Sequence, residues 1–367
     1  ILQSTTKTVL APILILYGLG VAGAILAYLA SFFGAALIGV LILAMKYIRL
    51  KATSQGIIDN PLEAVRVMLG YSLPLYLTTV LGVFLSQFQN IVLAFFATNS
   101  EIGNFNVTLK FAALVSVVSY PMASVVFPIF SKIAPYQRRE LATLFRLIMK
   151  YTSLVIIPTS VAVMILSRDL ISAFYGAGYD LASEFLAMYG ALFLLTGVGY
   201  LVLENLFNGI GETKTTLKIG VITVAIFAPL APTMTWLWHI RGLITALIVS
   251  NGFSTLYGMN EASKRHGVYP DLKANSKIYL TAMVAAIPTV ILLQTTIMGV
   301  GTVSLAVGGS LYLVSFLTFA PILGAMNKSD IENLTAILAK IPKSRSWIQP
   351  VLRYEARILS IMSKLDR

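Results

Sequence analysis

Four polar side chains lie inside long apolar stretches of this sequence, where their charge or hydrogen bonding could serve a chemical function. Gln87, Asn90 and Lys110 fall in the two apolar runs of the segment 71–135, and Glu204 falls in a run further along. At ~1.5 Å per residue, each run is long enough to cross a ~30 Å hydrocarbon layer as a helix. An unpaired polar group at that depth costs several kcal/mol, so such groups face a protein interior or a wet cavity. The sequence therefore predicts a membrane protein with a hydrophilic central cavity.

The composition is typical of a polytopic membrane protein and excludes several kinds of chemistry. Hydrophobic residues make up 57% of the chain and charged residues 11%, with a mean hydropathy of +0.83. An ordinary soluble domain carries about 25% charged residues. The chain has no cysteine, and its two histidines have no metal-binding partner nearby in sequence, so we expect no thiolate chemistry, no metal site and no cofactor. No nucleophile–base pair or phosphate-binding loop is recognisable, so we expect no catalytic residues.

Ten membrane spans can be drawn along the chain. None has the period-two alternation of a barrel strand, so we interpret all of them as helices. The chain starts almost directly in the first span without an initiator methionine, so we expect an N-terminal truncation. The predicted spans are 8–29, 31–48, 73–97, 106–130, 148–167, 185–207, 215–236, 242–260, 278–298 and 301–322.

Basic residues predict the orientation of these spans. With the N-terminus inside, the inner segments and the C-terminal tail hold 24 of the 27 Lys and Arg residues, whereas the outer loops hold only Arg168 and Arg241. This asymmetry follows the positive-inside rule, and it places the C-terminal tail in the cytoplasm. The net charge of +12 is thus explained by topology and by attraction to anionic membrane lipids. We therefore expect no nucleic-acid partner.

Several stretches resemble the polysaccharide flippases of the multidrug, oligosaccharidyl-lipid and polysaccharide exporter superfamily. The run SLPLYLTTVLGVFLSQFQNIVLAFF, the connector EIGNF and the helix end VVFPIFSKIA are similar to the start of the second lobe in that family. The segment ENLFNGIGETKTTLK at 204–218 is similar to the helix end and Gly–Thr–Lys turn found later in the same lobe. The resemblance covers essentially the whole chain.

This resemblance implies an all-α membrane bundle of fourteen helices, with two six-helix lobes around a central cavity and a final helix pair. The chain would hold the last ten helices, because the first four are absent. This sequence departs from the family pattern in the first helix of the second lobe. Relatives often carry an acidic residue there, where this chain has Gln89–Asn90. The implied divisions are the last two helices of the N-terminal lobe (1–50), an inter-lobe connector (51–70), the C-terminal lobe (71–262), an additional helix pair (276–322) and a basic amphipathic tail (323–367).

Candidate substrate-binding residues follow from the flippase resemblance. Lys110 could bind the pyrophosphate of a lipid-linked sugar, or its stem could snorkel to the outer interface. Gln87 and Asn90 share a helix face and, with Tyr76 and Tyr120, could contact sugars; ordinary helix–helix contacts use the same groups.

The one carboxylate placed clearly inside a span is Glu204. Such a carboxylate is a candidate coupling-ion or proton site, and the alternatives are an ion pair with an inner-surface cation or an interfacial position. Asn251 on the eighth span shares a helix face with Ser254, three residues later, and is assigned to the same cavity, with helix–helix bonding as its alternative.

The sequence as a whole is interpreted as a plasma (inner) membrane flippase, not an enzyme. It would move polyprenyl-linked oligosaccharide from the inner to the outer leaflet by alternating access, with a polysaccharide polymerase or glycosyltransferase machinery as candidate partners. The alternatives are a cation-coupled drug or metabolite antiporter of the same fold and a flippase for peptidoglycan precursor. A membrane-embedded glycosyltransferase would need acidic catalytic residues in sizeable outer loops, and the loops here are short.

Overall fold

The computed structural model describes the backbone of residues 2–53, 61–132, 137–176, 178–295, 299–339, 353–358 and 360–361. Side chains are described over the same ranges except at 2, 46–53, 61, 64, 116–126, 334 and 336–339. Two compact units are present, Ile1–Arg66 and Val67–Arg367, and each is described by itself.

The described part of the chain is helical throughout and contains no strand, as the sequence predicts. The helices are α1 Leu2–Leu14, α2 Gly20–Thr53, α3 Pro61–Phe96, α4 Asn99–Ser131, α5 Arg138–Ile165, α6 Ser167–Tyr175, α7 Asp180–Leu194, α8 Leu203–Gly209, α9 Thr213–His266, α10 Leu272–Thr295, α11 Thr302–Ile322 and α12 Lys328–Ala339. Seven helical segments of the described residues are long and apolar enough to cross a membrane. Two of the seven contain a reversal of the chain: the segment that comprises α1 and α2, and the segment α9.

The first unit is a pair of antiparallel helices. α1 continues into a π-helical turn at Ile15–Leu19, and the chain then reverses at Gly18 and Gly20, which have φ values of 88° and 51°. The reversal brings Lys7 Nζ to 4.6 Å from the centre of the Tyr28 ring, in a cation–π contact between α1 and α2. The predicted boundary between spans 8–29 and 31–48 was therefore wrong. Glycine supplies the positive φ needed for the reversal at 18–20, and nothing interrupts the helix near residue 30.

The second unit packs the remaining helices around three larger apolar clusters. One joins α4, α5, α8 and α9, a second joins α5 to the pair α10–α11, and a third joins α3, α4, α7 and α9. The start of α4 is fixed by a capping box, in which the Thr98 hydroxyl accepts the Glu101 N–H and the Glu101 carboxylate accepts the Thr98 N–H. Seven of the eight predicted spans from 73–97 onward each lie on one helical segment of this unit, and the eighth, 185–207, is divided between α7 and α8.

One end of the second unit is closed by ion pairs around α12 and around the two ends of α9. Lys150 on α5 donates to Asp330 on α12 at 2.5 Å, with both side chains largely buried. Glu212, just before α9, contacts His266 Nε2 at 3.1 Å and Arg265 at 3.5 Å. The predicted turn at 204–218 is present here, because α8 ends at Gly209 and α9 begins at Thr213.

The opposite end carries the reversal that divides α9 into two antiparallel halves, which we call α9a (213–237) and α9b (240–266). Trp238 and His239 leave helical geometry, and His239 has a positive φ of 51° with ψ −136°. The halves approach closely beyond this turn, since a Cβ on Gly242 would lie 1.9 Å from the Met234 carbonyl oxygen. Glycine is required at 242 because a backbone atom occupies the place of its side chain.

We expect Gly242→Ala to destabilise the protein strongly. The methyl group would force the backbones of α9a and α9b apart, and overpacking of this kind costs ~1–3 kcal/mol or more in the free energy of unfolding. Thermal unfolding of the purified protein should show a lower midpoint. Gly252→Ala on the same half-helix is the matched control, because its Cβ would meet its nearest neighbour at 4.0 Å. Equal midpoints for the two variants would contradict the predicted contact.

Candidate functional site: a polar cavity at a broken helix

The predicted span 185–207 is not a continuous helix. α7 ends at Leu194, a 3-10 turn follows at Leu195–Val198, and Gly199 takes a left-handed conformation with φ 117°. The chain re-enters a helix at Leu203 as α8. Broken helices at membrane depth are tolerated where they line a cavity or are buried in protein, and in transporters they often mark the binding site.

A cavity of about 580 Å³ lies beside this break, within the second unit. Its volume falls within the range of ~300–1,000 Å³ that small-molecule sites occupy. The walls come from α3, α5, α8 and the two halves of α9. The polar residues that line it are Thr78, Thr152, Tyr200, Glu204, Asn205, Asn208, Thr216, Thr223, Asn251, Ser254 and Thr255.

Among the described residues that line this cavity, Glu204 is the one carboxylate. Its side chain is exposed to the cavity, and no Lys, Arg or His of the described residues forms an ion pair with it. The alternative in which Glu204 pairs with a cation at the inner surface therefore finds no support in the described part of the chain. A carboxylate without a paired cation can take up a proton or a metal cation from the cavity.

The amide side chains around Glu204 are oriented by their own helices. Asn205 and Asn251 each donate Nδ2 to the carbonyl four residues earlier, at 3.1 and 2.8 Å. Asn208 Oδ1 accepts from the Thr216 hydroxyl at 2.7 Å, which ties α8 to α9a. Each of these bonds uses one N–H of the amide, so Asn205 and Asn251 each keep an oxygen and a second N–H for a ligand. Carboxylate, amide and hydroxyl oxygens suit a hard cation or the hydroxyl groups of a sugar.

The amides predicted on α3 do not line this cavity. Tyr76, Gln87 and Asn90 are exposed and share one face of the helix, because eleven residues at about 100° each bring Gln87 back to within about 20° of Tyr76. Thr78 and Leu85 line the cavity from the other side, with Leu85 about 180° from Tyr76. α3 therefore presents one face to the Glu204 cavity and a second, exposed face that carries the three predicted residues.

Lys110 and Tyr120 lie on α4, and none of the described side chains of α4 lines the cavity. Lys110 is exposed, and no acidic side chain of the described residues pairs with it. Tyr120 lies in the stretch of α4 whose side chains are outside the described residues. Of the seven predicted site residues, the structure brings Glu204 and Asn251 together, and the role of each residue stays a prediction.

A second pocket of about 520 Å³ lies at the end of the unit with the α9 reversal. Its charged groups are already paired. His239 Nδ1 lies 3.4 Å from a Glu101 oxygen, and Arg241 donates two hydrogen bonds to Glu184 at 2.7 and 2.9 Å. Trp238 lines this pocket and is exposed. These ion pairs connect His239, in the reversal, to α4 and Arg241, just after it, to α7. In the described residues no cluster of His, Asp or Glu could hold a metal ion.

Several cavity residues were missed by the sequence analysis although the sequence contains a signal for them. On α8, Asn208 follows Asn205 by three residues. On α9a, Thr216 and Thr223 lie seven residues apart, and spacings of three, four and seven keep side chains on one helix face. The Thr196–Gly197–Val198–Gly199 run inside an apolar span is the signal for the break, because glycine pairs favour interruption of a helix.

Comparisons with known proteins show which family and which fold the chain is similar to. A family model described as "Polysaccharide biosynthesis protein" matches residues 3–184. The solved structure "Lipid II flippase MurJ, inward closed conformation" is similar to the chain with a TM-score of 0.60 and 18% sequence identity. The match covers 88% of this chain and 65% of that one, so the chain spans slightly less than two thirds of its length. No curated protein matches the chain.

These findings confirm two of the predictions. The shared fold and the apolar helices identify a multi-pass helical membrane protein, and at 18% identity the structural likeness establishes the fold alone. The family match, taken with that fold, confirms the predicted resemblance to lipid-linked saccharide flippases of the exporter superfamily.

We expect the Glu204 cavity to be accessible to water. The protein has no cysteine, so single cysteines can be introduced without a background signal. Asn251→Cys, which lines the cavity, should react severalfold faster with a small polar thiol reagent than Gln89→Cys, because Gln89 is only 9% exposed. Rates would be measured by mass shift in native membranes, and equal rates at the two positions would contradict a wet cavity.

Proposed function

We propose that this protein is a flippase for polyprenyl-linked oligosaccharide, and the match of residues 3–184 to a family of polysaccharide biosynthesis proteins supports the proposal. It moves its substrate from the inner to the outer leaflet by alternating access, as a transporter and not as an enzyme. The observation that carries the proposal is the two-faced helix α3, with the Glu204 cavity on one side and exposed amide and aromatic groups on the other.

The proposed architecture has fourteen helices, of which this chain holds the last ten. Residues 1–50 form the last two helices of the first lobe, 51–70 the connector, 71–262 the second lobe, 276–322 the extra pair and 323–367 a cytoplasmic tail. The surplus of basic residues on one set of segments supports this orientation and a plasma (inner) membrane location.

The exposed face of α3 and Lys110 would bind the substrate head group. Tyr76 can stack on a sugar ring, Gln87 and Asn90 can hydrogen-bond its hydroxyls, and the Lys110 ammonium can pair with pyrophosphate. The exposure of all four side chains is what supports this role, since none of them is committed to an ion pair with a described residue. The lipid tail stays in the bilayer while the head group crosses.

The coupling site would be the Glu204 cavity. A proton or a monovalent cation binds the Glu204 carboxylate with help from the amide oxygens of Asn205 and Asn251. Because α3 forms a wall of this cavity, its occupancy can shift α3 and with it the opposite, substrate-binding face. A ligand shifts such an equilibrium only through different affinities for the two states, so the cavity must change shape between the inward- and outward-open forms.

A second candidate is a flippase for peptidoglycan precursor. The observation that favours it is the shared fold with the lipid II flippase structure. A cation-coupled antiporter is the less favoured alternative, because Glu204 is the one carboxylate among the described residues that line the cavity.

Complementation tests the proposed function. The full-length protein, with all fourteen proposed helices, is expressed in strains that lack either their own oligosaccharide flippase or their own peptidoglycan-precursor flippase, and surface polysaccharide or growth is measured. We expect rescue of surface polysaccharide, and a loss of roughly tenfold or more with Lys110→Ala, because a charge-assisted contact is worth ~1.5–3 kcal/mol. Glu204→Gln should fail to rescue. The control Glu184→Gln removes a carboxylate that is exposed and outside the cavity, and it should rescue fully.

Two outcomes would overturn this assignment. Rescue only of the peptidoglycan strain would establish the second candidate. Rescue of neither strain, together with resistance to cationic dyes, would establish the antiporter.

A further inference from the structure

The break in the span that carries Glu204 is held by side chains from α10, a helix that does not line the cavity. Asn275 of α10 donates its Nδ2 to the Gly197 carbonyl at 2.7 Å, and it is only 2% exposed. The Tyr279 hydroxyl, one turn further along α10, donates to the Leu194 carbonyl. Backbone carbonyls at a helix break need partners from elsewhere, and here α10 supplies two of them.

The fit between α10 and the break is close. A Cβ on Gly197 would lie 2.3 Å from the Tyr279 hydroxyl oxygen and 2.6 Å from its ring. Glycine at 197 is therefore required by the approach of Tyr279. On the other side of the break, Gly199 has a positive φ and packs against Leu203 and Met259. The 3-10 turn is thus enclosed between α10 and the α8–α9b core.

The geometry of this turn decides which way α8 faces. A 3-10 helix turns by about 120° per residue and an α-helix by about 100°, and Gly199 follows the turn with a positive φ, so a rearrangement of the turn would change the direction in which α8 faces. Glu204 and Asn205 lie on the first turn of α8. Such a change would move both side chains away from their present positions in the cavity wall.

We propose that Asn275 and Tyr279 are positioning residues, through which the helix pair α10–α11 fixes the direction of Glu204 and Asn205 in the cavity. The pair is packed on α5 and on itself through an apolar cluster, so it is a rigid support for the break. The consequence for coupling rests on the proposed function of Glu204, whereas the positioning itself does not.

The test measures the position of α8 directly. Asn205→Cys is the reporter on α8, and Asn251→Cys on α9b is the reference in the same cavity, both in the otherwise cysteine-free protein in native membranes. Each is combined with Tyr279→Phe, which removes only the hydroxyl, or with Asn275→Leu. We expect the rate of modification by a small polar thiol reagent to fall severalfold at 205 and to stay within twofold at 251.

A matched control tests whether any lost tyrosine hydroxyl in the pair has the same effect. Tyr312 on α11 bonds the Ala282 carbonyl of α10 at 3.4 Å and does not touch the break. Tyr312→Phe should leave both rates unchanged. Unchanged rates at 205 in both α10 variants would overturn the proposal, and so would equal changes at 205 and 251, because these would indicate a general loosening of the cavity.

A transport measurement separates this proposal from the proposed function. If Glu204 is the coupling group, Tyr279→Phe should shift the pH profile of transport, whereas Tyr312→Phe should not. A selective change at 205 without a shifted profile would leave the positioning role established and would remove the coupling role of Glu204.

Discussion

Backbone hydrogen bonding at membrane depth is the constraint on which this structure depends. In a nonpolar medium each unpaired carbonyl or amide costs several kcal/mol, so a break in a spanning helix persists only where protein groups take over the lost bonds. The span 180–209 contains such a break, and three features support it. Gly197 and Gly199 allow the turn, local bonds close it, and Asn275 and Tyr279 satisfy its carbonyls. The cavity, the exposed carboxylate and the need for an extra helix pair all follow from this single interruption.

In the proposed mechanism, the coupling site and the substrate-binding residues lie on opposite sides of α3. Thr78 and Leu85 belong to the cavity wall, while Tyr76, Gln87 and Asn90 face away from it. A movement of α3 caused by binding on one face would therefore also move the residues on the opposite face. The departure from the family at Gln89–Asn90 becomes intelligible in this arrangement. An amide cannot titrate at neutral pH, and the proposed coupling group is instead Glu204, which lies in the cavity on the other side of α3.

Much of the fold could be predicted from hydropathy, because membrane helices must be long, apolar and internally hydrogen-bonded. The spans from 73–97 onward lie on helical segments for this reason. The first reversal was misplaced because hydropathy does not register a turn made by two glycines inside an apolar run. Gly18 and Gly20 gave the local signal, and the length of the run concealed it.

The candidate site was predictable only in part. Glu204 could be found because a carboxylate inside a span stands out in any sequence, and Asn251 because it shares a helix face with Ser254. Asn208 and Thr216 are bonded to each other across two helices, and a pattern along one helix does not reveal such a pair. The assignment of Asn275 and Tyr279 to the break required three-dimensional structure, since they lie about 80 residues from the carbonyls that they bind.

The most direct measurement of the central claim is flipping in vesicles that contain only lipid and the full-length protein, with all fourteen proposed helices. A fluorescent polyprenyl-pyrophosphate saccharide is incorporated in both leaflets, and an impermeant reductant then bleaches the label that reaches the outer surface. The account predicts that the protein makes the inner pool accessible, and that Glu204→Gln does so far more slowly. Bleaching no greater than in protein-free vesicles, by protein that is folded and inserted, would contradict the account.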